Sequence, residues 1–194
     1  MREGFPPVSG GGRKTVRLAG MRLLPDETAR VCVSASAFRY EGVARQAVQS
    51  LKFRGRKTLA TTFAILLEKR LADEPGFLEG VDLIVPVPLH PSRRRERGFN
   101  QSALVARELA RRWEIPASEK ALVRNRKTRP QVGLSARERA DNIRGAFEAG
   151  PEVRGKVILL VDDVMTTGAT ASACARGFRA GGAEETRVLT LARD

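Results

Sequence analysis

Two adjacent carboxylates, Asp162 and Asp163, follow the apolar run Val157-Ile158-Leu159-Leu160-Val161 and lead into Val164-Met165-Thr166-Thr167-Gly168-Ala169-Thr170. Neighbouring carboxylates can accept hydrogen bonds from the vicinal hydroxyls of a sugar, or hold a hydrated Mg²⁺. Threonine hydroxyls and the backbone N–H groups that open a helix suit a phosphate. Gly168 lets the backbone approach a ligand with no side chain in the way. An acidic pair after a strand is often a solvated loop, and Thr-Thr-Gly is common turn chemistry, so neither part says much alone. Their contiguity between a strand and a helix points to a phosphorylated ribose. Asp162 and Asp163 then lie at the sugar, with Thr166, Thr167, Gly168, Ala169 and Thr170 around its phosphate.

A basic counterpart is close by in sequence. The net charge is +13, and from Pro91 to Arg144 there are 15 Lys and Arg against 6 Asp and Glu, while Gly145 to Asp194 has 6 against 7. The surplus beside a near-neutral C-terminal segment favours polyanions such as pyrophosphate, nucleotides or nucleic acid, without choosing among them. Other chemistries are poorly supplied. His90 is the sole histidine, and the two cysteines, Cys32 and Cys174, stand far apart without ligand-spaced partners. A disulfide, a zinc site and His-dependent nucleophilic catalysis are therefore not expected.

These groups need a scaffold. With 194 residues, 42% hydrophobic and 29% charged, the chain can bury one core. Val157–Val161 reads as a buried strand, Ala169–Ala180 as a helix closed by Gly181-Gly182, and Thr186–Ala192 as a last strand. Val81–Pro88 is a further apolar strand that delivers the chain into a loop from Leu89 to Gly98. Apolar periodicity predicts helices over Glu41–Leu51 (Val43, Ala44, Ala47, Val48, Leu51), Thr58–Ala72 and Asn100–Trp113 (Ala103, Leu104, Ala106, Leu109, Ala110). Ala121-Leu122-Val123 reads as a brief strand. Continuous apolar strands joined by crossover helices predict an α/β fold, a mostly parallel sheet with helices on both faces. Residues 1–30, with Pro6-Pro7 and Ser9-Gly10-Gly11-Gly12, read as a flexible leader before a domain over 31–194. No membrane span or apolar signal core is evident, and a cytoplasmic location is expected.

Val157 to Ala171 resembles the phosphoribosyl-diphosphate (PRPP) binding motif of type I phosphoribosyltransferases. Leu51-Lys52-Phe53-Arg54-Gly55, Val85-Pro86-Val87-Pro88, Arg97-Gly98-Phe99-Asn100-Gln101 and Gln131 to Phe147 are together similar to the ComF family. That is the competence-associated branch that includes GntX-type proteins, and the similarity covers about Phe38 to the C-terminus. It implies a type I phosphoribosyltransferase-like fold with a mobile flap at about 124–144, in which Arg137 and Arg139 are the best candidates to meet the ligand.

The resemblance further implies that Asp162 and Asp163 face the ribose hydroxyls as the catalytic carboxylates and hold Mg²⁺, directly or through water. Thr166 to Thr170 would hold the 5′-phosphate, and Arg93, Arg94, Arg95 and Arg97 the pyrophosphate. The implied activity is that of a glycosyltransferase moving ribose 5-phosphate from PRPP to an unidentified acceptor, with pyrophosphate released. Transfer of this kind is mainly electrostatic and positional, with Asp163 the first carboxylate to test. Single-stranded DNA or DNA-uptake machinery and a second copy of the chain are the implied partners. Two alternatives stay open: a PRPP or nucleotide sensor without turnover, and a single-stranded-DNA-binding competence factor. ComF relatives usually begin with a cysteine-rich zinc ribbon, which Cys32 alone cannot build, so zinc is not carried over. With 5% aromatic residues, no base platform is legible; Tyr40, Phe53, Phe99 and Trp113 are expected in the core, and His90 in a turn beside Pro91.

Overall fold

The computed structural model describes residues 22–23, 32–53, 58–126, 138, 142–143 and 145–194. The main sheet has the order β1 (Arg22–Leu23), β2 (Cys32–Arg39), β7 (Glu185–Arg193), β6 (Val157–Met165), β3 (Leu83–Pro86). Every pairing is parallel except the short antiparallel edge contact of β1 with β2. Arg22 and Leu23, within the stretch expected to be a leader, pair with Ser34 and Val33. A second sheet of two antiparallel strands joins β4 (Leu122–Arg124) to β5 (Phe147–Ala149).

Helices α1 (Gly42–Phe53), α2 (Thr58–Leu71) and α4 (Gln101–Trp113) share one apolar cluster with β6 through Leu159 and Val161. Ile158 and Leu160 belong to a second cluster with α5 (Ala169–Ala180) and the β4–β5 pair. Alternate residues of β6 are thus buried on opposite sides, which is why the strand reads as an unbroken apolar run. On α4, Ala103, Ala106 and Leu109 are buried as the periodicity predicts, and Val105 joins them. Val43, predicted to face inward from the first turn of α1, is 82% exposed. Tyr40 and Trp113 pack against the core as expected.

Three elements depart from the sequence expectation. The segment 89–98 is not all loop: Pro91–Arg97 forms a short helix, α3, with His90 as its N-cap. His90 Nδ1 accepts from the Ser92 backbone N–H at 3.2 Å, and Pro91 supplies the fixed φ of a first helical turn. Strand β6 does not stop at Val161 but runs on to Met165, because the nine-residue β7 continues the ladder, pairing Asp162 with Thr190 and Val164 with Ala192. Strand β2 was not anticipated, although Val33-Ser34-Ala35-Ser36-Ala37 alternates apolar and small polar residues with the period of a half-buried strand. No helix among the described residues is long and apolar enough to cross a membrane.

Candidate functional site

Asp162 and Asp163 lie in the second half of β6, which is flanked by β7 and β3. Parallel strands present their carboxyl ends to ligands, and this is the end that carries the acidic pair. The chain then turns through exposed Thr166 and Thr167 into α5. Gly168 caps that helix with φ 77°, a left-handed conformation that disfavours a Cβ. The Ala169 backbone N–H leans on Thr167 Oγ1 at 3.4 Å. Thr166 to Thr170 therefore form one turn at a helix N-terminus, directly after the carboxylates, in the arrangement that favours an anion.

The two carboxylates differ sharply in surroundings. Asp163 is buried at 6% exposure. Its Oδ1 lies 2.9 Å from Lys52 Nζ at the end of α1, and its Oδ2 accepts from Gln101 Nε2 at the start of α4. Asp162 is half-buried. Its Oδ1 accepts from the Asp163 backbone N–H at 2.8 Å and from Ser102 Oγ at 3.3 Å. Desolvation, reinforced by the Asp163 charge, pushes the Asp162 pKa up to about 7, against the opposing pull of the Asp163 N–H, Lys52 and Ser102.

Gln101 and Ser102 reach the pair because α4 starts where it does. Asn100 is its N-cap: Oδ1 accepts from the Ser102 N–H at 3.1 Å, and Nδ2 donates to the Val87 carbonyl at 3.0 Å. Asx capping thus aims the first two helical side chains at the end of β6. Arg97 NH1 donates to Gln101 Oε1 at 2.7 Å, so α3 is tied to the same network.

Of the four arginines proposed for pyrophosphate, only Arg97 joins the carboxylates by this route. Burial lowers its pKa, partly offset by Asp163. Arg93, Arg94 and Arg95 are exposed. Arg94 turns to Glu119 at 3.3 Å, beside a cleft of ≈ 590 Å³ whose wall includes Arg95, Leu122 and Arg124. Arg124 lies over the Phe147 ring at 5.5 Å, and its pKa is lowered by desolvation and then by Arg93. Arg137 and Arg139, and most of the stretch read as a flap, lie outside the described residues. Sequence reasoning missed Lys52, Gln101 and Ser102 as site residues, although Lys52 and Gln101 sit inside the motifs Leu51–Gly55 and Arg97–Gln101.

The phosphoribosyl transferase domain family matches residues 100–194. The DNA utilization protein YhgH of Escherichia coli K12 is 37% identical over 148 residues, covering 75% of this chain and 65% of that protein. Competence protein F of Haemophilus influenzae is 35% identical over 151 residues, covering 75% and 66%. The chain therefore spans about two thirds of the length of these relatives. A solved glutamine PRPP amidotransferase from B. subtilis aligns with a TM-score of 0.44 at 23% identity, over 70% of this chain and 25% of that one. A parallel sheet with an acidic pair at the end of β6, the domain match and the relatives named for competence and DNA utilization lead to one assignment: the chain belongs to the ComF-like family of the type I phosphoribosyltransferase fold.

Proposed function

We propose that the chain binds PRPP and transfers its ribose 5-phosphate to an acceptor. The observation that carries the proposal is the unbroken path from Asp162 and Asp163 on β6 through Thr166–Thr170 into the N-terminus of α5. In this reading the ribose lies at the acidic pair, the Thr/Gly turn holds the 5′-phosphate, and Arg93, Arg94, Arg95 and Arg97 on α3 attract the diphosphate. The bond from the anomeric carbon to diphosphate oxygen breaks as the acceptor bonds to that carbon, and the diphosphate leaves with the electron pair. Positive charge growing on the sugar is stabilised by the carboxylate side of the site, and negative charge on the leaving group by the arginines.

Mg²⁺ fits this site in one form. Among the described residues no group of three or more His, Cys, Asp or Glu gathers around a metal position, and both Asp163 oxygens already have partners. Two carboxylates suit a Mg²⁺ that arrives on the diphosphate and keeps most of its waters. When bound, the ion neutralises the leaving group; Asp162 and Asp163 would hold it through water.

The exposed Arg93–Arg95 on α3 and the names of the relatives, DNA utilization protein and competence protein, favour a second reading: contact with single-stranded DNA along this basic surface. Calorimetry of PRPP with and without Mg²⁺ on the wild type and on Asp162→Asn separates the two. Mg²⁺-dependent PRPP binding lost in Asp162→Asn supports the PRPP site, whereas no binding by the wild type removes both transferase and sensor. Pyrophosphate release with a panel of nucleobases then divides transferase from sensor. Salt-sensitive oligonucleotide binding that survives Asp162→Asn identifies the DNA surface.

A further inference from the structure

The two carboxylates of the pair have unlike partners in this chain. Asp163 has both oxygens engaged by side chains from two other elements, Lys52 on α1 and Gln101 on α4, and is 6% exposed. Asp162 accepts on Oδ1, from its neighbour's backbone N–H and from the Ser102 hydroxyl, and keeps a share of exposure.

We propose that Lys52 is a positioning residue for the ribose site: with Gln101 it fixes Asp163 as a charged support, and Asp162 alone is the carboxylate that meets the ribose hydroxyls. This rests on the PRPP reading above.

Three physical points carry it. A carboxylate held by an ammonium at 2.9 Å and by an amide on its other oxygen would have to give up a charge-assisted bond to receive a sugar hydroxyl. Taking a buried carboxylate from its cation is unfavourable, since the remaining charges are left uncompensated. Lys52 is itself mostly covered, its side chain 20% exposed, so the ammonium is not a solvated group that visits the pair at random. The anchor also extends to the diphosphate side, because Gln101 accepts from Arg97 through the oxygen of the same amide whose nitrogen serves Asp163. Lys52, Asp163, Gln101 and Arg97 thus form one line of contacts from α1 to α3. Lys52 would act on the ligand through this line and not by touching it.

The test uses Lys52→Met, Lys52→Arg, the double variant Lys52→Met/Asp163→Asn and Gln101→Leu, each assayed for PRPP affinity by calorimetry and for melting temperature. Loss of a hydrogen bond to a charged group predicts about a tenfold weaker PRPP affinity in Lys52→Met and in Gln101→Leu. Lys52→Arg should recover most of the loss. The double variant, which leaves no unpaired charge and keeps a carbonyl for Gln101, should bind PRPP more tightly than Lys52→Met alone, by about fivefold, and melt higher. If Asp163 touches the ribose itself, the double variant binds no better than Lys52→Met, and the division of labour is wrong. Wild-type affinity in folded Lys52→Met makes the contact merely structural and also overturns it. Failure of Lys52→Met to fold leaves the decision to the double variant and Gln101→Leu. Wild-type protein that binds no PRPP brings down the PRPP reading and this assignment together, whereas wild-type binding with unaffected variants brings down this assignment only.

Discussion

Asn100 Nδ2 donates to the Val87 carbonyl at 3.0 Å, joining the first residue before α4 to the chain leaving β3. The same side chain caps α4 through Oδ1 and the Ser102 N–H. One buried amide therefore sets both the start of the helix and its distance from the sheet, and Gln101 and Ser102 inherit their direction from it.

Replacing Asn100 by Ala removes the cap and the Val87 bond together. The expected cost is roughly 2 kcal/mol, about 4–8 °C in Tm for a chain of this size. Asn100→Ser keeps a capping oxygen and should recover about half of that. Thermal unfolding of the three proteins checks the ranking; a Ser variant no better than Ala would show that capping contributes little.

Asp162 gives stability a defined pH slope. Its pKa rises from the ordinary 3.8 to about 7 in the folded protein. Between those values the folded state holds more protons than the unfolded state, so its contribution is complete below the unfolded pKa and is lost as pH rises through about 7. Asp163, Lys52 and Ser102 face it from β6, α1 and α4, and none of them cancels the shift. Urea midpoints measured from pH 4 to 8 should fall with pH, and the fall should be shallower in Asp162→Asn. Equal slopes in the two proteins would place the titration elsewhere.

Gly168 sits at φ 77° as the N-cap of α5. An alanine there carries a left-handed strain of roughly 1–2 kcal/mol. Gly168→Ala should lower Tm modestly and weaken ribose 5-phosphate binding, read by calorimetry. Unchanged affinity would move the phosphate away from this turn.

At the far end of α5, a Cβ on Gly181 would meet Ala149 Cβ at 2.9 Å and Val153 Cγ2 at 3.0 Å. Gly181→Ala is expected to cost about 1–3 kcal/mol through overpacking. Gly150→Ala, where a Cβ meets nothing within 4 Å, serves as the matched control and should change Tm little.

What could be read without coordinates follows from how local each signal is. The run from Val157 to Thr170 holds strand, acidic pair and Thr/Gly turn in one contiguous stretch, and α5 formed over the predicted Ala169–Ala180. Helix α3 escaped notice because it buries none of its residues and so has no apolar period, while its cap is a histidine instead of the usual Ser, Thr, Asp or Asn. Strand β2 is held by seven register partners on β7; its local trace, the alternation over Val33–Ala37, is weak because the alternating residues are small. Lys52 and Gln101 are 111 and 62 residues from Asp163 along the chain; only the packing of α1 and α4 over one sheet face makes them neighbours. Their motifs were visible, but their task was not.

The flanking of β6 by β3 and β7 has a bearing on how the chain can be divided. Residues 100–194, the part matched as a domain, contain the acidic pair and the Thr/Gly turn, yet neither β3 nor Lys52. Cut there, the fragment would leave one side of β6 with open N–H and C=O groups and a buried carboxylate without its ammonium. Candidate site and fold are the joint property of two chain segments, and on the proposed PRPP reading a split version should regain binding only when both pieces are supplied together.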